Sequence, residues 1–317
     1  MLNVLLLLVG FVALIFGATK LVDAASSLAS KMGVPSIVIG LTIVAFGTSA
    51  PELVVNLFAS INNNTEMVLG NVLGSNIFNV LGILGISSLI YPLAVKTNTT
   101  WLEIPLSLLA AVAVLIIAND SYLGDSSLNI ISRSEGLILL LFFAVFLVYN
   151  LTVAQSGSGE EEMQTEDYTY PKAILFIVLG LVGLVVGGRL IVDSAVSIAE
   201  AFGLSERVIG LTIVSIGTSL PELATSVVAV RKRNVDIAIG NVVGSNIFNI
   251  FFILGLSTLV NPLVVNPNSF LDIALNLFSG LLLFIFIFTG KGRQLARWEG
   301  AVFLMLYIAY LVILITQ

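Results

Sequence analysis

Glu52 and Glu222 are carboxylates set inside apolar stretches, "VIGLTIVAFGTSAPEL" at 38–53 and "VIGLTIVSIGTSLPEL" at 208–223. Thr48, Ser49, Thr218 and Ser219 add hydroxyl oxygens just before them. Pro51 and Pro221 lack the N–H that would bond the carbonyl four residues back, on Gly47 and Gly217, so a helix should break or kink here. In lipid, freed carbonyls persist only where they line a polar cavity. Carboxylate, hydroxyl and carbonyl oxygens together make a hard-cation ligand set suited to Ca²⁺ or Na⁺. Mg²⁺ fits less well, because it gives up water reluctantly and demands tight octahedral geometry.

A second phrase, "GNVLGSNIFN" at 70–79, returns as "GNVVGSNIFN" at 240–249. Ser75 and Asn79 stand four apart, hence on one helical face, and Asn71 extends the stripe by a turn. Asn241, Ser245 and Asn249 repeat it, and Asn76 and Asn246 add further amides. Such a stripe is costly in lipid unless it meets polar partners, and the broken segments carrying Glu52 and Glu222 are the expected ones. Two glutamates isolated in hydrocarbon would take up protons; a divalent cation, or several monovalent ones, removes that penalty. Overlapping ligands would make the ions compete, which is the basis of exchange.

Elements that could hold these groups follow from composition. The chain has 317 residues, 58% hydrophobic and 10% charged, with mean hydropathy +1.09. Soluble domains carry about 25% charged residues, so this is an all-α integral membrane protein whose first partner is the lipid bilayer. Cysteine and histidine are absent, which excludes disulfides, thiol chemistry, thiolate metal sites and imidazole bases. A net charge of −6 argues against nucleic acid as a partner. No cofactor is expected, and no motif points to a protein partner. The first 19 residues hold no Lys or Arg, so they read as a retained transmembrane helix and not as a cleaved signal peptide.

At about 20 apolar residues per span, ten spans are expected, near 3–30, 35–60, 67–90, 101–118, 134–154, 172–201, 206–230, 236–260, 269–289 and 296–315. An acidic, Gly/Ser-bearing segment at 155–171 reads as a solvated linker on the cytoplasmic side. Lys31, Lys96, Lys172, the 231–233 cluster, Lys291, Arg293 and Arg297 fall on one side, leaving Arg133 and Arg207 on the other. The positive-inside rule then puts the N-terminus outside, in a multi-pass plasma-membrane protein.

The two halves align at an offset of 170 residues, pairing Gly10 with Gly180, Gly17 with Gly187, Asp23 with Asp193 and Gly40 with Gly210. Residues 1–154 hold one five-helix repeat (motif 38–90) and 172–317 the other (motif 208–260). An odd number of spans turns the second repeat upside down, the inverted architecture that places a transporter's site at the repeat interface. Broken helices 2 and 7 should meet there.

Other polar residues have plainer readings. Asp23 beside Lys20 and Asp193 beside Arg189 read as interfacial pairs. Glu103 and Asp272 open spans, where a carboxylate favours a helix N-terminus. Tyr91, Trp101 and Trp298 read as interface anchors. Gly70 and Gly74 suit a close helix contact. The run Glu160–Glu162 reads as a solvated face.

"GTSAPE", "GTSLPE" and the paired "GSNIFN" resemble the duplicated motifs of the cation/Ca²⁺ exchanger superfamily, most closely its prokaryotic Na⁺/Ca²⁺ exchanger branch. The resemblance covers both halves. It implies a ten-helix inverted-repeat fold whose second, third, seventh and eighth helices form the site, and Na⁺-driven Ca²⁺ transport by alternating access, usually three Na⁺ for one Ca²⁺. By the same resemblance Glu52 and Glu222 are the central ligands, with Thr48, Ser49, Thr218 and Ser219 contributing hydroxyl or backbone oxygens. Ser75 and Ser245 would help form Na⁺ sites, Asn79 and Asn249 stand at the centre, and the carbonyls of Ala45 and Ser215 line outer Na⁺ sites. Some members carry Asp at one central Asn position; both are amides here, which argues against K⁺ dependence and leaves two carboxylates. The linker is too short for the Ca²⁺-sensing domains of animal exchangers. H⁺/Ca²⁺ exchange is the runner-up, although that branch usually reads "GNxxE" at the break. A cation channel is the alternative from another class, and an enzyme is the least favoured, because no nucleophile, His or thiolate accompanies the glutamates.

Overall fold

The computed structural model describes residues 2–123, 128–155, 166–201, 215–267, 269–289 and 292–316. Among these, long apolar helices run α1 (Leu2–Met32), α4 (Thr65–Ile90), α5 (Thr99–Ile117), α6 (Arg133–Gln155), α7 (Tyr170–Ala201), α10 (Val235–Val260), α11 (Ser269–Phe286) and α12 (Arg297–Thr316). A further span is broken into α2 (Ser36–Thr48) and α3 (Ala50–Ile61), bent by 47°. Its counterpart is α8 (Ser215–Thr218) followed by α9 (Leu220–Arg231). The described helices match the expected spans to within a few residues, except that the start of the seventh, near 206–230, lies outside the described residues, as do Arg207, Lys291 and Glu160–Glu162.

The breaks fall where proline dictates. Pro51 and Pro221 each stand in the first turn of the following helix, where a missing N–H costs nothing. The α3–α4 and α9–α10 corners are equally alike: Asn63 and Arg233 adopt φ of 59° and 58°. Asn64 and Asn234 then cap the next helix, accepting from Met67 N and Ile237 N at 3.2 Å each.

Helices α4 and α10 form the centre and are buried along most of their length. Exposed leucine, valine and isoleucine lie instead on α1, α6, α7 and α12, as at Val12, Leu141, Val182 and Ile308. That apolar exterior suits lipid, where every backbone group is satisfied within its own helix. Helices α1 and α7 cross at small residues: a β-carbon on Gly17 would stand 2.8 Å from Gly180 O, and one on Gly187 would stand 2.8 Å from Gly10 O. Helix α7 also leaves no room for a β-carbon at either break, Leu181 covering Gly47 and Val192 covering Gly217.

Two short antiparallel ladders close the ends. Leu93–Ala94 pairs with Gln294–Leu295 at one end and Ile130–Ile131 with Leu263–Val264 at the other. The first end also carries Lys31–Asp167 (2.5 Å), Lys96–Asp236 (2.9 Å) and Arg293, while Arg133 bonds Leu259 O at the second. The basic residues therefore collect at one end, as their spacing predicts. Tyr91, Trp101 and Trp298 are exposed near this basic end, Trp101 against Phe284 and Phe288.

Four expectations change. Asp23 pairs with Lys232, the residue just after α9, while Lys20 lies over the rings of Phe16 and Phe176. Asp193 does pair with Arg189, at 3.7 Å. Glu103 and Asp272 stand near helix starts as expected, but their carboxylates accept from Tyr149 (2.5 Å) and Tyr310 (2.8 Å) on the neighbouring helices. At the linker's end Tyr168 is buried, its N–H donating to Ser27 Oγ at 3.0 Å, so the segment docks before α7 begins. The two glycine pairs also diverge: Gly240 packs on Ile37 O and Gly40, whereas Gly70 and Gly74 line a cavity of about 100 Å³ beside Asp272 and Tyr307.

Candidate cation site

Both broken spans deliver their polar ends to the same buried region between α4 and α10. Thr48, Ser49, Glu52, Ser219 and Glu222 are all buried there. Each glutamate is held by the opposite break: Ser49 Oγ donates to Glu222 Oε1 at 2.9 Å and Ser219 Oγ to Glu52 Oε1 at 3.1 Å. Ser245 Oγ lies 3.0 Å from Ser49 Oγ. The threonines cross over in the same way, Thr48 Oγ1 donating to Asn241 Oδ1 (3.0 Å) and Thr218 Oγ1 to Asn71 Oδ1 (3.4 Å).

Beneath them lies a ring of four amides. Asn79 Nδ2 donates to Asn246 Oδ1 at 2.9 Å, and Asn249 Nδ2 donates to Asn76 Oδ1 at 3.0 Å. Asn76 and Asn246 also donate to each other's backbone carbonyl, at 3.2 and 3.5 Å. Except for Ser49–Ser245, whose counterpart Ser75 Oγ has no partner, each of these contacts maps onto another when 170 is added to or subtracted from the residue numbers. Asn79 and Asn249 each sit in a wide π turn, Phe78–Leu84 and Phe248–Leu254. π turns recur at functional sites because they shift side-chain register within a helix.

This network leaves a specific set of atoms unused. Glu52 Oε2, Glu222 Oε2, Asn79 Oδ1, Asn249 Oδ1 and Ser75 Oγ are buried without a hydrogen-bond partner. A buried polar atom without a partner costs about 1–3 kcal/mol, and more when charged. Four of the five are acceptors only, so what they lack is a donor or a cation. No group of three or more acidic, His or Cys side chains occurs among the described residues. The oxygens come instead from two carboxylates, amides and hydroxyls.

Of the remaining expected positions, Ala45 O accepts from Ser49 N (3.0 Å) and Thr48 Oγ1 (3.3 Å), directly before the first break. Ser215 begins the short helix before the second. Sequence reasoning noticed Asn71, Asn76, Asn241 and Asn246 without assigning them to the site, where they hold the threonines and the central amides. It passed over Asn56 and Ser226, which stand four residues after each glutamate: Asn56 Nδ2 donates to Glu52 O (2.7 Å), and Ser226 Oγ accepts from Asn241 Nδ2 (3.0 Å). The i,i+4 spacing was the available signal.

Apolar spans around a buried, oxygen-lined centre with two acids define a membrane transport protein. The sodium/calcium exchanger protein family matches residues 2–152 and 172–316, and the chain belongs to that family of cation/Ca²⁺ exchangers. It is 39% identical to the putative antiporter CaxA of Alkalimonas amylolytica, over 96% of this chain and 95% of that one. It is 36% identical to the sodium/calcium exchanger MaX1 of Methanosarcina acetivorans, over 98% of each. The fold superposes on the sodium-calcium exchanger NCX_Mj soaked with Na⁺ and Sr²⁺, with TM-score 0.83, 33% identity and 98% coverage of both chains. These relatives are exchangers, not enzymes.

Proposed function

We propose that this protein is a Na⁺-driven Ca²⁺ antiporter of the plasma membrane, built as two inverted five-helix repeats, 1–154 and 172–317, joined by a cytoplasmic linker, with the N-terminus outside. The observation that carries the reading is the set of five buried, unpartnered oxygens between the two breaks. Two carboxylates balance one Ca²⁺, and their flexible oxygen surroundings suit that ion. Glu52, Glu222 and the oxygens of Thr48 and Thr218 hold Ca²⁺. Na⁺ ions take the same glutamates together with Ser49, Ser75, Ser219, Ser245, the central amides Asn79 and Asn249, and the carbonyls of Ala45 and Ser215. Because the carboxylates are shared, Ca²⁺ and a full set of Na⁺ exclude one another, and alternating access turns that exclusion into exchange. Three Na⁺ for one Ca²⁺ moves one net charge per cycle.

The reciprocal hydrogen bonds support the inverted-repeat reading. When residue i meets j and its equivalent meets the equivalent of j with roles exchanged, a two-fold axis relates the halves. Eight basic residues against Arg133 among the described termini of the spans support the orientation. That Asn249 is an amide supports a cycle without K⁺.

Purified protein in liposomes tests the proposal. An outward Na⁺ gradient drives ⁴⁵Ca²⁺ uptake, a K⁺-diffusion potential changes its rate, and neither a K⁺ nor an H⁺ gradient replaces Na⁺. Equal flux under an H⁺ gradient transfers the reading to H⁺/Ca²⁺ exchange, and no flux under any gradient ends it.

A further inference from the structure

Asp23 and Asp193 are equivalent under the 170-residue offset, yet their surroundings differ. The Asp23 carboxylate bonds the Lys232 ammonium at the end of α9, with side chains only 17% and 37% exposed. Three contacts continue this seam along the last turns of α1. Asn234 Nδ2 donates to Ser26 Oγ at 2.9 Å, Tyr168 N to Ser27 Oγ at 3.0 Å, and Lys31 meets Asp167 at 2.5 Å. The lysine-rich end of α1 is thereby tied to the α9–α10 corner and to the segment entering α7.

Asp193 has no such tie among the described residues. Its side chain is 69% exposed, and its ion-pair partner is Arg189 on its own helix, 3.7 Å away. It lines a cavity of about 400 Å³ that reaches both breaks, bounded by Ala50, Pro51, Thr218 and Pro221. The position equivalent to Lys232 is Asn62, a neutral side chain whose amide donates to Phe58 O at 2.9 Å. The threonine–amide pairs differ in the same sense. Thr48 and Asn241 are fully buried, whereas Thr218 and Asn71 remain partly exposed. One side of the site carries a charge pair between helices, and among the described residues the other side has no equivalent pair and keeps Thr218 and Asn71 partly exposed.

From this asymmetry we infer that Asp23 and Lys232 form a latch that keeps the lysine-rich side of the site shut and sets how often the protein opens there. They are positioning residues: neither touches the ions, and both act by holding α1 against α9. Opening the lysine-rich side separates the pair, and Asn62 offers Asp193 no compensating charge when the opposite side closes. The two access states are therefore unequally stabilised, in favour of the one seen. In its transport consequences the inference rests on the exchanger reading above.

The absence of cysteine permits a direct test. Val230, buried on α9 two residues before Lys232, is replaced by cysteine as a reporter, and its modification by a membrane-impermeant thiol reagent is timed from the lysine-rich side. Asp23→Asn and Lys232→Gln are each expected to speed labelling several-fold, and to lower the apparent KM for ions on that side while raising it on the other. The double variant Asp23→Lys with Lys232→Asp, which restores an opposed pair, returns labelling toward the slow rate and also guards against a variant that fails to fold. Labelling rates and both KM values unchanged in folded single variants overturn the latch. Labelling needs no transport, so a wild-type protein without Na⁺-driven flux defeats the exchanger reading while the latch is still judged by accessibility.

Discussion

Ser49 donates its hydroxyl to the Glu222 carboxylate at 2.9 Å across 173 residues of chain, and Ser219 does the same for Glu52 at 3.1 Å. Each acid is thus oriented by the opposite half, and its second oxygen, Oε2, stays free. A hydrogen bond to a charged group contributes about 1.5–3 kcal/mol. Ser49→Ala and Ser219→Ala should each weaken Ca²⁺ binding by about tenfold or more, read by calorimetry in detergent or by the KM of flux. Unchanged affinity in both would show that the serines do not orient the acids.

Glu52→Gln and Glu222→Gln should abolish Ca²⁺ flux and leave a folded protein. An amide keeps an acceptor for the serine of the opposite break and removes a buried charge whose counter-ion is the cargo. Without ions, each variant should melt at or above the wild-type temperature. Ca²⁺ at a hundredfold over Kd should stabilise only the wild type, by about 2.7 kcal/mol. Continued transport by either variant would remove that glutamate from the site.

The amide ring holds α4 against α10 independently of any ion. Asn76→Ala would leave Asn249 Nδ2 buried without its acceptor, at a cost of about 1–3 kcal/mol. Asn246→Ala would do the same to Asn79 Nδ2. Both should lower the melting temperature with and without Ca²⁺, unlike the glutamate variants, and thermal scans in both conditions separate the two behaviours.

At the α1–α7 crossing, a β-carbon on Gly180 would stand 2.9 Å from Gly17 O and from Leu21 N. These are backbone atoms that cannot turn aside, so Gly180→Val should force the helices apart and cost about 1–3 kcal/mol or more. Reduced yield and a lower melting temperature are expected, against little effect from Val182→Ala at an exposed position of the same helix.

Much of this architecture was legible in the chain. Hydropathy alone spaces the spans, because each must cross the same thickness of lipid. Pro51 and Pro221 locate the breaks, because a missing N–H is a local covalent property. The four-residue spacing of Asn71, Ser75 and Asn79 announces a polar face for the same local reason.

Which polar group meets which was decided by packing. Asn76 and Asn246 fall off the i,i+4 stripe, yet each holds the central amide of the other half. Asp23 has a lysine three residues back in its own helix, but it bonds Lys232, 209 residues away. Periodicity reports the face a side chain occupies on one helix, not the helix that will cover it. The repeat at 170 residues determined that two equivalent acids exist. Only the tertiary structure decided that the two ends of their shared site are unequal, because Lys232 reaches the Asp23 carboxylate on another helix whereas its equivalent, Asn62, turns back to the Phe58 carbonyl.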